Sequence, residues 1–336
     1  MKQRLLFAFF ALSLFFTGCG SDNGLDGNWI KGSSFEGRPR GGAVSFVVGD
    51  FAYVGTGYDG EDCLKEFYKY SIQSGWIKIA DFPGTERKEA VAFTAIVDGK
   101  EMAYVGLGVD EDDNRLADFY AFDPVAETWS PAPDFMGTAR QNAISFSING
   151  VGYVGTGYGY LDGKDRNYLK DFYKFDNGTW SKIAFDGEKS ANAATFVIND
   201  KAYVVSGTGS LKYVWEYDPT LISADFNGWT RKEYLDDDNR WEDVQRAEAV
   251  AFVISDRAYL ATGKNGNYTT EVWEYNPAKD DWTERTSLER EVSAREDAVA
   301  FTLNNRGFFV TGNAGGGYLG DMWEFNPKMD ETDDDN

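Results

Sequence analysis

The stretch Gly150-Val-Gly-Tyr-Val-Gly-Thr-Gly157, GVGYVGTG, places four glycines around a Tyr-Val pair. A glycine-rich phosphate loop needs a helix directly after it, because the helix N-terminus supplies the N–H groups that hold the anion. Here the chain continues to YLKDFYKFDNGTW (168–180), which alternates like a strand and lacks helical periodicity. The glycines therefore mark the end of a β-strand, and their recurrence decides the fold.

Related stretches occur six times along the chain. They begin at Phe51, Met102, Val151, Lys201, Arg257 and Gly307. An apolar run precedes each one, with a phenylalanine at Phe46, Phe93, Phe146, Phe196, Phe252 and Phe301. An aromatic run such as DFYKF (171–175) follows, and five repeats then end with Trp76, Trp129, Trp180, Trp229 or Trp282. Each repeat of about 50 residues predicts four short antiparallel strands, called a to d below.

The turns and the chain ends agree with this repeat. Asx-Pro pairs such as Asp123-Pro124 lie between strands c and d, and Asn149-Gly150 lies between strands a and b at hairpin spacing. The sixth repeat has no strand d, whereas NWIK (28–31) precedes the first repeat without a repeat of its own. We expect this N-terminal strand to complete the last blade, so the fold is predicted to be all-β, a closed six-bladed β-propeller.

On these residues the chain resembles the kelch-repeat family over residues 28–328. The glycine cluster after strand b, the acidic-aromatic run of strand c and the tryptophan of strand d carry the resemblance. One departure is consistent: the family usually has two adjacent glycines, whereas this chain has Gly-x-Gly in three repeats and one glycine in the later ones. The resemblance implies a propeller fold, and some kelch domains bind acidic partners through arginines at one rim.

The N-terminus predicts export and lipid attachment. Lys2 and Arg4 precede an apolar run that is too short to span a membrane comfortably, and Thr17-Gly18 precede Cys19. This pattern resembles a bacterial lipoprotein signal at 1–18, an alternative being an ordinary signal peptide with a chance cysteine. We expect a lipidated Cys19, a linker at 19–27, the propeller at 28–328 and an acidic disordered tail at 329–336. The implied location is the cell envelope of a Gram-negative-type bacterium, at the outer membrane.

Composition excludes several functions. The net charge of −22 disfavours nucleic acid and anionic lipid headgroups as partners, leaving the lipid anchor as the expected membrane contact. The chain has no histidine, so galactose-oxidase-type copper chemistry and a Ser-His-Asp triad are excluded. No cofactor or metal is expected. Acidic runs at 110–113, 236–238 and 333–335 lack calcium-loop spacing and are interpreted as solvated charge. Cys63 is expected to be a surface thiol.

Function is expected on the face that carries the d-to-a links and the long b-to-c loops. Five of the six links have an arginine six residues before the core phenylalanine: Arg40, Arg87, Arg140, Arg246 and Arg295. Two residues later stand Gly42, Glu89, Asn142, Asn192, Glu248 and Asp297, which in an extended strand would share a side with the arginines. Two interpretations stay open: a structural ring of Arg-carboxylate pairs, or an arginine-rich mouth that binds a carboxylate.

Aromatic residues form a second feature of this face. They are Tyr58, Tyr158, Tyr160, Tyr268, Tyr318 and Trp241. They either form a stacking platform for a glycan or peptide or fold back as loop anchors. The favoured hypothesis is a non-enzymatic binding protein for a glycan, peptide or envelope protein. The alternatives are an enzyme resembling the kelch-type sialic acid mutarotases, with Glu89 or Glu248 moving a proton, and a structural subunit of an envelope assembly.

Overall fold

The computed structural model describes residues 26–161, 165–209, 213–234, 244–288 and 291–330. Within them the backbone forms six four-stranded antiparallel sheets, and the first strands of neighbouring sheets contact one another around a full ring. The fold is a six-bladed β-propeller, as predicted. The predicted signal peptide, Cys19, Trp241 and residues 331–336 lie outside the described residues, so the predictions made for them stay predictions. Within the described residues, no helix has the length and apolarity to cross a membrane.

The strands follow the predicted order a, b, c, d, with short additional strands at one face. The chain starts with β1 (Asp26–Lys31). Blade 1 contains β2 (Val44–Val48), β3 (Phe51–Gly55), β4 (Phe67–Ser71) and β5 (Gly75–Lys78). Blade 2 contains β6 (Val91–Val97), β7 (Lys100–Gly106), β8 (Phe119–Asp123) and β9 (Thr128–Ala132). Blade 3 contains β10 (Arg140–Gln141), β11 (Ile144–Ile148), β12 (Val151–Gly155), β13 (Tyr158–Leu161), β14 (Asp165–Tyr168), β15 (Phe172–Asp176) and β16 (Thr179–Ile183).

The second half repeats this arrangement. Blade 4 contains β17 (Ser190–Ala191), β18 (Ala194–Ile198), β19 (Lys201–Val205), β20 (Thr208–Gly209), β21 (Tyr213–Tyr217), a 3-10 turn (Pro219–Leu221) and β22 (Trp229–Tyr234). Blade 5 contains β23 (Val250–Ile254), β24 (Arg257–Ala261), β25 (Lys264–Asn265), β26 (Asn267–Tyr268), β27 (Val272–Asn276) and β28 (Asp281–Arg285). Blade 6 contains β29 (Val299–Leu303), β30 (Arg306–Val310), β31 (Asn313–Ala314), β32 (Gly317–Tyr318) and β33 (Met322–Asp330).

The two ends of the described chain close the ring. Strand β1 pairs antiparallel with β33 as the outermost strand of blade 6, with Trp29 opposite Phe325. The indole of Trp29 donates a hydrogen bond to the carbonyl of Thr286 at 3.3 Å, at the end of blade 5. This confirms the prediction that NWIK completes the last blade. Closure leaves no unpaired edge between the first and last blades.

The core is divided among the blade interfaces. Phe46, Tyr53 and Phe67 of blade 1 pack against Val105 and Phe122 of blade 2, and equivalent clusters fill the following interfaces. The cluster that joins blade 6 to blade 1 completes the set. Because each blade contributes to two clusters, the loss of any one blade would expose apolar surface on both of its neighbours.

The two glycines at the end of strand b are required for different structural reasons. A Cβ at Gly155 would lie 2.2 Å from the Phe172 ring, and Gly55 and Gly106 also face a phenylalanine of strand c. In blades 4 to 6 this glycine is replaced by Val205, Ala261 and Val310, and strand c has Val214, Val272 and Met322 in place of phenylalanine. The second glycine, as in Gly157, has φ of +100° and lies against the backbone of the d-to-a link, so it is present in all six blades.

Candidate functional site

The five repeated arginines lie beneath the face and not on it. Arg40, Arg87, Arg140 and Arg295 are 0% exposed and Arg246 is 2% exposed. Arg140 shows the pattern: Nε donates to Thr138 O at 2.8 Å, Nη1 to Thr156 O at 2.8 Å, and Nη1 and Nη2 to the two carboxylate oxygens of Asp171 at 2.8 and 2.9 Å. Each arginine thus ties the start of strand a to the end of strand b and the start of strand c within its own blade.

The carboxylates that face these arginines come from the first position of the strand-c motif. They are Glu66, Asp118, Asp171, Glu271 and Asp321. The exception is blade 4, where Ser190 replaces the arginine and Tyr213 stands at the acidic position. The two changes occur together because a buried guanidinium without its carboxylate would be costly.

Of the two open interpretations, the structure agrees with structural Arg-carboxylate pairs and not with an exposed arginine-rich mouth, because the guanidinium groups are buried and hydrogen-bonded within the blades. The expected partners are corrected: the arginines do not pair with the residues two positions later. Those six residues, Gly42, Glu89, Asn142, Asn192, Glu248 and Asp297, all have φ between 53° and 63°, a left-handed backbone that breaks the strand alternation.

These six left-handed residues form a ring at the mouth of the channel, called the polar ring below. Backbone N–H groups donate from Glu89 to Gly42 O at 2.8 Å, from Asn142 to Glu89 O at 3.1 Å, and onward through Asn192 and Glu248, while Gly42 donates to Asp297 O at 3.0 Å. Together with the alanines that follow them, the ring residues line a cavity of 110 Å³. The polar ring is a rigid frame that presents three carboxylates and two amides at one opening.

On one side of the ring, carboxylates gather around a lysine. Carboxylate oxygens of Glu248, Glu296 and Asp297 lie within 4.8 Å of one another. Lys264 Nζ is 3.0 Å from Glu248 Oε2 and also contacts Glu296. Among the described residues, these three carboxylates are close enough together to bind a cation, and the ammonium group of Lys264 already lies beside them. Asn192 Nδ2 donates to Glu248 at 3.0 Å, and Tyr268 OH donates to Glu296 at 3.2 Å.

The protonation of these carboxylates is perturbed in different directions. Burial, with further contributions from Glu296 and Asp297, raises the pKa of Glu248 well above its usual range. For Glu296 burial is outweighed by hydrogen bonds from Glu248 and Lys264, and its pKa is lowered. Burial and the negative charges of Glu89 and Glu296 raise the pKa of Asp297 to about 7. Burial also raises the pKa of Glu89, against the opposing charge of Lys88.

A gap without side chains separates Glu89 from Asp297. Both residues of the intervening Gly41-Gly42 pair lack a side chain: a Cβ at Gly41 would lie 3.3 Å from Asp297 Cβ, and one at Gly42 would lie 3.4 Å from Glu89 Cγ. Glu89 also lines a larger cavity of 440 Å³ between the loops of blades 1 and 2. This volume falls in the range of about 300–1,000 Å³ typical of small-molecule sites. The two raised-pKa carboxylates therefore flank an opening beside a ligand-sized cavity.

The tyrosines divide into two groups. Tyr58 and Tyr318 meet edge to face at 5.7 Å beside the gap, and Tyr58 lines the larger cavity with Lys88 Nζ 4.5 Å from its ring centre. Tyr268 is tied to Glu296. Tyr158 and Tyr160 lie on the hairpin of blade 3, where the guanidinium groups of Arg115 and Arg166 lie against them, each 5.8 Å from a ring centre. The two groups do not converge on one platform.

Cys63 also differs from expectation. Its side chain is 3% exposed in the wall of the larger cavity, and burial raises the pKa of its thiol to about 11. The expected surface thiol is therefore a buried and unreactive one.

Sequence reasoning missed Lys88, Glu296 and Lys264. A signal was present: Lys88 and Glu296 directly follow a repeated arginine, and Lys264 directly follows the invariant second glycine of its blade. The residue after the arginine position pairs with the residue after the second glycine of the same blade, as Lys88 does with Val109 and Glu296 with Asn313. Both positions are therefore fixed at the mouth in every blade, whatever residue occupies them.

Comparisons with known proteins give partial sequence matches and a similar solved structure. No protein-family model matches the chain. It is 35% identical over 97 residues to an N-acetylneuraminate epimerase of Haemophilus influenzae (strain PittEE), covering 27% of this chain and 24% of that protein. It is 36% identical over 86 residues to an N-acetylneuraminate epimerase of Yersinia enterocolitica, covering 24% of this chain and 21% of that protein. The matched part is thus about a quarter of these relatives' length.

Two further likenesses cover more of the chain. A kelch domain-containing protein of Vibrio cholerae is 28% identical over 136 residues, covering 40% of this chain and 37% of that protein. A solved structure titled "Structure of YjhT" superposes with a TM-score of 0.67 at 19% identity, covering 86% of this chain and 95% of that one. By fold, therefore, this chain is a six-bladed β-propeller, and part of it is similar to a kelch domain-containing protein.

Proposed function

We propose that the protein is a sugar mutarotase, which accelerates the exchange between the anomers of a cyclic sugar at the gap between Glu89 and Asp297. The observation that carries the proposal is the pair of raised-pKa carboxylates on either side of the Gly41-Gly42 gap, next to the 440 Å³ cavity. The partial similarity to N-acetylneuraminate epimerases supports the same reaction type. The proposal keeps Glu89 from the sequence-based enzyme hypothesis and adds Asp297 as the second proton-transferring group.

Mutarotation needs one acid and one base at the same time. The base removes the proton of the anomeric hydroxyl while the acid donates a proton to the ring oxygen, so the ring C–O bond breaks and a carbonyl forms. After rotation of the carbonyl carbon, the two groups exchange roles and the ring closes with either configuration. No proton or electron is gained or lost overall.

The geometry suits this exchange of roles. The negative charge of Glu89 contributes to the raised pKa of Asp297 across the gap, which favours Asp297 as the acid and Glu89 as the base in the first step. The second carboxylate candidate, Glu248, lies on the other side of Asp297, and the charge of Asp297 contributes to the raised pKa of Glu248. Gln141 Nε2 donates to Glu89 and fixes its orientation.

The test is the rate of anomer exchange measured by saturation-transfer NMR on equilibrated sugars. The panel is galactose, N-acetylmannosamine, glucosamine and N-acetylneuraminate. We expect a rate proportional to protein concentration for at least one sugar, and a loss of about 100-fold or more in Glu89→Gln and in Asp297→Asn. Glu284→Gln, an exposed carboxylate on strand d of blade 5, is the matched control. A rate independent of protein concentration for every sugar would overturn the proposal.

A second candidate function is sugar or peptide binding without turnover. The observation that favours it is Tyr58, whose ring lines the larger cavity and packs edge to face on Tyr318. Saturable binding of a panel sugar, weakened by Tyr58→Ala and without any change in exchange rate, is the result expected for this function and not for the first.

A further inference from the structure

We infer that the substrate of this site is an uncharged or amino sugar and not an acidic one such as N-acetylneuraminate. The inference rests on the proposed function for the reaction, but its evidence is the distribution of charge and hydrogen-bonding groups around the cavity.

The first step is that the arginines described around the opening are buried or already paired. The two more exposed ones, Arg38 and Arg166, form ion pairs with Asp59 and Asp113. Each of the five repeated arginines is at most 2% exposed, and four of them are also in direct contact with a carboxylate within 3.5 Å. Arg115, which lies nearer the cavity, is ion-paired with Asp113 at 2.8 Å and has a side chain that is 4% exposed. Bidentate recognition of a carboxylate needs an accessible guanidinium, and none of these six offers one.

The second step is the charge of the cavity wall. Among the described residues in the wall of the 440 Å³ cavity, Lys88 is the one basic residue. Five carboxylate side chains line the same cavity: Glu61, Glu89, Asp110, Glu111 and Asp113. The ammonium of Lys88 lies over the Tyr58 ring. Across the gap, Lys264 lies against Glu248 and Glu296. A ligand carboxylate would find Lys88 beside an aromatic ring and Lys264 beside two carboxylates, and it would be repelled by the more numerous carboxylates of the cavity wall.

The third step is the kind of hydrogen bond that the wall lacks. Gln141 lines the same cavity, but its Nε2 donates to Glu89 and its Oε1 is shielded, so the wall offers a ligand mainly its carboxylate oxygens. Ionised carboxylates are acceptors only. Hydroxyl and amino groups supply the donors that such a wall requires, whereas a carboxylate adds further acceptors. The chemistry of the wall therefore matches a polyhydroxyl ligand, with or without an ammonium group.

The experiment compares binding and exchange for matched sugars. Dissociation constants are measured by ligand-observed NMR for glucosamine, N-acetylmannosamine and N-acetylneuraminate, beside the exchange rates of the same samples. We expect the neutral or amino sugar to bind at least tenfold more tightly than N-acetylneuraminate. Raising the salt concentration should weaken glucosamine binding, because screening removes its attraction to the acidic wall.

A charge variant separates the wall from the fold. Glu61→Gln removes one exposed carboxylate from the wall and should weaken glucosamine binding about two- to fivefold, and N-acetylmannosamine binding by less, because only glucosamine also loses a charge attraction. Glu284→Gln, outside the cavity, should change neither. N-acetylneuraminate binding as tightly as the other sugars overturns the inference even if exchange is catalysed. A preference for the non-acidic sugars without accelerated exchange supports the inference and removes the proposed reaction. Binding of no sugar overturns both.

Discussion

The buried arginines make a sharp prediction about stability, which Arg140 tests best. Arg140→Ala removes four hydrogen bonds: two to the carbonyls of Thr138 and Thr156 and two to Asp171. It also removes a guanidinium that lies 5.0 Å from the Phe135 ring centre. Asp171, whose side chain is 23% exposed, is left without its counter-charge.

The magnitude follows from this environment. Breaking a buried pair by removing one partner costs about 3–5 kcal/mol, and the partial exposure of Asp171 favours the lower half of that range. At about 2–4 °C per kcal/mol for a domain of this size, the melting temperature should fall by roughly 6–16 °C. Replacing both partners, in Arg140→Ser with Asp171→Tyr, reproduces the combination in blade 4 and should cost less than the single change.

The pH dependence supplies a second readout. Burial acts to raise the pKa of Asp171, but the hydrogen bonds and charge of Arg140 outweigh it and lower the pKa below the usual value. A lowered folded-state pKa stabilises the protein above the unfolded-state value and loses that contribution as pH falls. The stability difference between wild type and Arg140→Ala, measured by urea unfolding, should therefore be full above about pH 4 and shrink below it. A difference under about 1 kcal/mol at pH 7 would refute the structural role of the arginines.

Four further predictions concern other parts of the chain. Gly155→Val should lower the free energy of unfolding by about 1–3 kcal/mol, because the valine side chain would contact the Phe172 ring. Adding Phe172→Met gives the Val-Met pair of blade 6 and should recover most of this stability in a double-mutant cycle. Additive costs would contradict the packing argument. Asp297→Asn should stabilise the protein by about 1–3 kcal/mol at pH 8 and have little effect at pH 4. The pKa of Asp297 is raised in the folded state, so its carboxylate destabilises the fold only when the pH exceeds its unfolded-state pKa. Equal effects at both pH values would rule this out. Cys63 should react with a thiol reagent at pH 8 only after unfolding, since it is buried and its pKa is about 11; rapid labelling of the native protein would contradict this. Cys19→Ala should abolish incorporation of radiolabelled palmitate, and unchanged labelling would exclude the proposed lipid anchor.

The features predicted correctly depend on period and on local turn chemistry. Glycines, Asx-Pro turns and tryptophans recur with each blade because every blade solves the same packing problem, so six copies identify the propeller. The Gly-x-Gly departure also has a local cause that the sequence contains. In blades 1 to 3 a phenylalanine of strand c lies opposite Gly55, Gly106 and Gly155. In blades 4 to 6, where this glycine is replaced, strand c has valine or methionine instead of phenylalanine.

The mouth was harder to predict because its key residues leave the strand alternation. Spacing placed Arg87 and Glu89 on one side of an extended strand, but the left-handed backbone at Glu89 turns the two side chains apart. Gly, Asn and Asp at four of the six ring positions were a hint, since these residues tolerate that conformation best. The acidic residues at the start of strand c, and the joint change of Ser190 and Tyr213, could have identified the arginine partners.

The amino-acid sequence by itself determined the number of blades, the strand order and the closure by the N-terminal strand, because these follow from repeated apolar patterns. Only the tertiary structure decided that the arginines are buried within blades, that Glu89 and Asp297 flank a gap, and that Lys264 lies between two carboxylates. The physical reason is that these contacts join residues from different loops and blades, and their charges and pKa values depend on distance and burial that no local pattern contains.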